Sequence, residues 1–167
     1  MVHSKPTDGY GGQTDREEAA MRQHVIDETV RTNADAVSVY ALLADGSTWP
    51  GWSPLGAFEL IEPGAGTPEG LGAVRLFTTG RHKSRERVVT CEPAQVFAYE
   101  LQAGLPLRAY RAVITLTPSG DGTTINWRST FRPKVPGTGW IYRRALGSFI
   151  RKTVEGLAAA ADRARSS

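Results

Sequence analysis

Apolar and polar residues alternate through the last third of the chain up to Phe131 and then recur at helical spacing, so two strands are predicted to run into one long closing helix. In the first strand Tyr110, Ala112, Ile114 and Leu116 share one face, opposite Arg111, Val113, Thr115 and Thr117. After the turn sequence Ser119-Gly120-Asp121-Gly122, residues Ile125, Trp127, Ser129 and Phe131 alternate with Thr124, Asn126, Arg128, Thr130 and Arg132. This pattern is a hairpin with one buried and one wet face. Pro133, Pro136, Gly137 and Gly139 stop it. From about Trp140 to Arg165 a helix is predicted, its stripe formed by Leu146, Phe149, Ile150, Thr153, Leu157, Ala160 and Ala161, with Arg144, Arg151, Glu155 and Asp162 opposite. A sheet with one apolar face and a helix with one apolar stripe must cover each other, and they either fill the space between them or enclose a cavity.

Upstream, His24 to Thr32 reads as a first strand, and Asn33 or Asp35 can cap a helix to about Ala44 along Val37, Tyr40, Ala41 and Ala44. Trp49-Pro50-Gly51-Trp52-Ser53-Pro54 reads as a tight aromatic turn, either a gate over a pocket or a structural corner. Further strands are predicted at Phe58 to Glu62, Ala73 to Thr79, Ser84 to Glu92 and Val96 to Gln102, separated by Pro63-Gly64, Gly80, Pro93 and Gly104 to Pro106. Strands grouped apart from helices indicate an α+β fold with an antiparallel sheet of about seven strands. Residues 1–21 carry little apolar content and are expected to form a disordered tail before a single domain at 22–167.

The chain's 167 residues suffice for one domain with a substantial core. No apolar run reaches the length of a membrane span, so stable membrane insertion is not expected, and the N-terminus lacks the apolar core of a signal peptide. Cys91, the single cysteine, cannot form an internal disulfide, which makes a reducing, cytoplasmic setting the natural reading. The net charge of +3 comes from 20 basic against 17 acidic residues, a balance that does not imply a nucleic-acid partner.

The order of elements and several local strings resemble the SRPBCC or START-like superfamily, in its polyketide cyclase/dehydrase and ligand-binding branch. The strings are Asp45 with Trp49-Pro50-Gly51-Trp52, Gly72-Ala73-Val74-Arg75, Arg85-Glu86-Arg87-Val88 before Glu92-Pro93, Tyr99-Glu100-Leu101, Leu107 to Ala112, Gly122-Thr123 through Trp127, Phe131-Arg132-Pro133 and the final helix. The likeness spans roughly Arg22 to Arg163 and rests on the order and spacing of these pieces together. It implies a helix-grip fold, a curved antiparallel sheet wrapped around the C-terminal helix with an internal pocket for an apolar small molecule. Relatives with this fold include lipid-transfer proteins, hormone receptors and aromatase/cyclases, so fold alone does not settle function.

Arg75, Glu86 and Tyr110 are the polar members of otherwise apolar faces. A two-residue loop around Gly80 would set Arg75 directly opposite Glu86, and a four-residue loop would set them diagonally on the same face. The functional reading is a polar anchor inside the pocket, as the resemblance implies for the glutamate of the Glu-Arg-Val string and the tyrosine of the Tyr-Arg-Ala string. The alternative is a structural buried pair with a satisfied tyrosine. In an aromatase/cyclase-like mechanism Glu86 would remove a proton alpha to a ketone while Tyr110 or Arg75 polarises the carbonyl. No histidine occupies an expected inner position, with His82 at a hairpin tip, His24 opening a strand and His3 in the tail.

One cysteine and three scattered histidines do not form a metal site, and no cofactor is expected. Gly64, Gly66, Gly70 and Gly72 fit no phosphate-binding pattern and read as loop glycines. The cluster Arg81, His82, Lys83, Arg85 and Arg87 reads as a solvated hairpin rather than a site for phosphate or anionic lipid. The expected function is binding of an apolar or amphipathic, lipid- or polyketide-like molecule, with a cyclase or dehydratase using the same pocket as the alternative. Expected lining residues are Arg75, Phe77, Glu86, Val88, Tyr99, Tyr110, Ala112, Trp127, Ser129, Phe149, Ile150, Thr153 and Leu157. The small stripe residues Ala160 and Ala161 suggest free space beside Thr153 and Leu157, and the protein is expected to be a monomer or weak homodimer.

Overall fold

The computed structural model describes residues 22–166, so the expected tail at 1–21 lies outside the described residues. The elements are β1 (His24–Thr32), α1 (Ala36–Ala44), a 3-10 turn (Gly46–Gly51), β2 (Ala57–Glu62), β3 (Val74–Thr79), β4 (His82–Glu92), β5 (Val96–Ala103), β6 (Leu107–Ser119), β7 (Gly122–Pro133) and α2 (Gly139–Arg165). All seven strands form one antiparallel sheet in the order β1-β7-β6-β5-β4-β3-β2. With α2 across its buried face, this is the α+β helix-grip architecture.

Because β1 pairs with β7 at one edge and β2 lies at the other, the segment between them must cross the sheet. That segment is α1 and the 3-10 turn, and it packs on α2, β5, β6 and β2. The register then aligns inner-face residues in a row across five strands: Val88 opposite Tyr99, Tyr99 opposite Ala112, Ala112 opposite Ser129, and Ser129 opposite Ile26. Each of these five side chains is buried, while Arg111, Arg128 and Arg132 on the other face are exposed. The alternation in β6 and β7 thus assigns inside and outside as their sequence predicts.

Asp35 caps α1, its carboxylate accepting from the Ser38 backbone N–H at 2.8 Å. The buried face of α1 is Val39 and Leu43, however, while Val37 is 69% exposed and Ala41 also faces outward. Ala36-Val37-Ser38-Val39-Tyr40-Ala41-Leu42-Leu43-Ala44 is apolar nearly all round, so its periodicity offers more than one stripe, and the crossing over the sheet selects one. In α2, Ile150, Thr153, Leu157 and Ala161 are buried as expected, but Val154 and Ala158 join them in place of the half-exposed Ala160. Asp162, assigned to the outer side, instead accepts from Thr32 Oγ1 at 2.6 Å and from the Asn33 backbone N–H at 2.8 Å. These bonds fasten the end of α2 to the β1–α1 junction.

Candidate functional site

The β3–β4 connection is the two-residue turn Gly80-Arg81, with Thr79 opposite His82 and Gly80 at φ +59°. Glycine adopts that left-handed backbone without steric cost. The tight turn sets Arg75 directly opposite Glu86. Arg75 is fully buried, and its Nη1 donates to the Leu43 carbonyl at 3.2 Å. Its guanidinium lies over Trp49 (4.7 Å to the ring centre), Phe97 (4.9 Å) and Phe77 (5.6 Å), where the ring faces attract the cation.

Two carboxylates flank this one cation. Glu69 Oε2 lies 3.5 Å from Arg75 Nη1 and also accepts the Gly46 backbone N–H at 2.8 Å, whereas Glu86 Oε2 lies 3.8 Å from Arg75 Nη2. Glu86 Oε2, Arg75 Nη2 and Arg75 Nε have no hydrogen-bond partner among the described residues. Burial pushes the Glu86 carboxyl up to about 7, and the Arg75 charge opposes that shift without cancelling it. The pair is therefore a long contact without a hydrogen bond, and desolvation is the larger influence on Glu86.

Glu86 faces a cavity of about 410 Å³ between the inner sheet and the first half of α2. Its walls are mostly apolar: Leu55, Leu101, Leu105 and Leu107 from the strands and loops, and Tyr142, Leu146 and Phe149 from α2. Tyr99 and Tyr110 add polar groups near Glu86, and Thr153, whose hydroxyl donates to the Phe149 carbonyl at 2.8 Å, borders the cavity from α2, while Thr79, His82, Lys83 and Ser84 line the end near the β3–β4 turn. The Tyr110 hydroxyl and Ser129 Oγ are hydrogen-bonded at 3.2 Å, and the Tyr99 hydroxyl interacts with that of Tyr110. Burial pushes the Tyr110 phenol up to about 12 and that of Tyr99 well above its ordinary range. Both therefore stay protonated at neutral pH. A larger groove of about 960 Å³ runs outside along β1 and α2, but Asp27, Glu28, Arg143, Arg144 and Arg151 line it and Arg151 pairs with Glu28 at 3.1 Å, as on a solvated face.

Of the residues expected to line a pocket, Glu86, Tyr99, Tyr110, Phe149 and Thr153 border this cavity. Arg75, Phe77, Val88, Ala112, Trp127, Ser129, Ile150 and Leu157 are buried without bordering it. The reason is Trp49. The 3-10 turn carries its ring into the interior, where Nε1 donates to the Leu43 carbonyl at 3.1 Å and the ring packs on Trp52, Phe77, Tyr99 and Trp127 with centres 4.9, 5.4, 5.9 and 5.8 Å away. This aromatic cluster occupies the interior beside the cavity, with Trp49 itself forming part of the cavity wall. Of the two residues expected beside free space, Thr153 borders the cavity, whereas Leu157 is fully buried and does not; near it α1 packs on α2 and Thr32 Oγ1 donates to the Ala158 carbonyl at 3.4 Å.

Sequence reasoning missed Leu55, Leu101, Leu105, Leu107, Tyr142 and Leu146 as cavity walls, and Glu69 as a partner of Arg75. It also set His82 aside. Counting by twos from Glu86 through Ser84 reaches His82 on the same face, so the strand period held that signal. Arg85 and Arg87, by contrast, point outward and pair with Glu62 at 2.6 and 3.3 Å. Among the described residues no cluster of His, Cys, Asp and Glu could hold a metal ion, and no helix is long and apolar enough to cross a membrane.

A family model described as polyketide cyclase / dehydrase and lipid transport matches residues 23–162. No curated protein matches the sequence. Among solved structures, a START superfamily protein from Mycobacterium smegmatis superposes with a TM-score of 0.73 at 15% identity, over 84% of this chain and 98% of that one. A protein from Thermobifida fusca gives 0.70 at 25% identity, over 83% and 93%. Norcoclaurine synthase from Thalictrum flavum, in complex with dopamine and hydroxybenzaldehyde, gives 0.67 at 14% identity, over 95% and 96%. The shared architecture and the match across most of the chain lead to one conclusion: this protein belongs to the polyketide cyclase/dehydrase and lipid transport family and has the helix-grip fold of the START-like superfamily.

Proposed function

We propose that this protein binds one apolar or amphipathic small molecule, lipid- or polyketide-like, in the cavity between the sheet and α2, and that it does so in the cytoplasm. The observation that carries this reading is the cavity itself: about 410 Å³, walled by leucines and aromatic rings, with a single buried carboxylate at its inner side. Binding sites for small molecules are commonly mostly apolar clefts of roughly 300–1,000 Å³ with a few convergent polar groups. Apolar burial supplies the affinity, and the polar groups orient the ligand.

Native mass spectrometry of freshly purified protein and titration with the neutral fluorophore N-phenyl-1-naphthylamine test this reading. A retained adduct or saturable fluorescence at one site per chain supports it. Absence of both, or uptake that survives Leu146→Trp unchanged, overturns it.

The raised pKa of Glu86 favours a second reading, a cyclase in the same cavity. A carboxyl group near 7 is matched to proton abstraction alpha to a ketone at neutral pH, with the protonated Tyr110 donating to the carbonyl oxygen. Incubation with a linear poly-β-ketone thioester, followed by mass spectrometry for loss of water, separates the two. Turnover by the wild type that falls about 100-fold or more in Glu86→Gln identifies an enzyme, and no turnover in either protein leaves the binder.

A further inference from the structure

We infer that the molecule held in this cavity carries an uncharged hydrogen-bond donor at its inner end, a phenol, enol or alcohol hydroxyl, which Glu86 accepts. This rests on the cavity reading above and specifies its ligand class. The argument begins with charge. One buried cation, Arg75, lies between two carboxylates, and the nearer one, Glu69 at 3.5 Å, also takes the Gly46 N–H. Glu69 therefore suffices as the counter-charge, and Glu86 is surplus to it. A surplus carboxylate only 5% exposed, with Oε2 lacking any hydrogen-bond partner among the described residues, is costly to bury.

The cavity meets the carboxylate and not the cation. Glu86 borders it, whereas Arg75 lies behind, covered by Trp49, Phe77 and Phe97 and donating away from it to the Leu43 carbonyl. The two tyrosine hydroxyls beside Glu86 are engaged with each other and with Ser129. Above about pH 7, where the Glu86 carboxyl is ionised, the available group at the inner end is thus an acceptor. A ligand carboxylate there would face a like group, and a bare hydrocarbon would leave Glu86 unmet. A hydroxyl satisfies it with a charge-assisted hydrogen bond.

The test uses a pair of probes of equal heavy-atom count, 2-naphthol and 2-methylnaphthalene, each displacing N-phenyl-1-naphthylamine from the protein. An apolar cavity without an acceptor favours the methyl compound, because a buried hydroxyl without a partner is penalised. At pH 8, where Glu86 is mostly ionised, the wild type should instead bind 2-naphthol at least roughly tenfold more tightly, the value of a hydrogen bond to a charged group expressed as an affinity ratio. Glu86→Gln, which keeps the shape and removes the charge, should lower that ratio, and Glu86→Leu should reverse it, with circular dichroism verifying the fold of each variant. Equal binding of both probes by the wild type, or a ratio unchanged in folded Glu86→Gln, overturns the inference while leaving the cavity reading intact. Failure of both probes and of the fluorophore to bind overturns the two together.

Discussion

The carbonyl oxygen of Trp52 occupies the position that a Cβ on Gly156 would need, so the aromatic turn and α2 meet backbone to side at a point where only glycine fits. Gly156→Ala should therefore destabilise the fold by about 1–3 kcal/mol through overpacking, even though alanine is the better helix former by roughly 1 kcal/mol. Gly147, in the same helix, has nothing within 4 Å of its would-be Cβ. Gly147→Ala should be neutral or stabilising by up to about 1 kcal/mol. Urea unfolding of both variants checks the contrast, and equal effects would mean that the contact with Trp52 is not tight.

Leu146 and Leu157 lie on the same helix but meet different surroundings, cavity for the first and filled core for the second. Leu146→Trp should block uptake of N-phenyl-1-naphthylamine with little loss of stability. Leu157→Trp should cost about 1–3 kcal/mol or more, as insertion into a packed core does. Thermal melts and probe titrations on both proteins distinguish them.

Glu86 makes stability depend on pH in a defined direction. Its carboxyl is raised in the folded state from 4.5 to about 7, so the folded protein binds more protons than the unfolded chain between those values. Stability from this group is greatest at the acid side of that window and falls as pH rises through about 7, by an amount on the order of 3 kcal/mol. In Glu86→Gln this dependence should vanish. The stability difference between wild type and variant, measured at pH 5 and pH 8, should therefore move against the wild type at the higher pH, and a constant difference would show Glu86 to be ordinary.

Tyr110 and Arg111 are neighbours on opposite faces of β6. Tyr110→Phe removes a buried hydrogen bond to Ser129 and should change stability or probe affinity by about 0.5–1.5 kcal/mol. Arg111 pairs with Glu100 at 3.1 Å on the exposed side, so Arg111→Ala should cost no more than about 0.5 kcal/mol. Chemical unfolding of the two variants gives the ranking, and its reversal would mean that the sheet presents its other face to α2.

The sequence by itself determined the strands, the closing helix and the faces of β6 and β7, because alternation at a period of two is local information and one buried side suffices to impose it. Arg75 and Glu86 were legible as inner-face polar residues for the same reason. Tertiary structure alone decided what surrounds them. The face of α1 follows from its crossing over the sheet, since a segment apolar nearly all round has no preferred side of its own. The depth of Trp49, distant in sequence from Trp127 and Tyr99, determines where the interior is filled and where it is open. Glu69 reaches Arg75 from a loop with no periodic pattern. Cavity walls such as Leu105 and Tyr142 come together only because strands and helix from separate parts of the chain close on the same space, and no local repeat encodes a volume left unfilled.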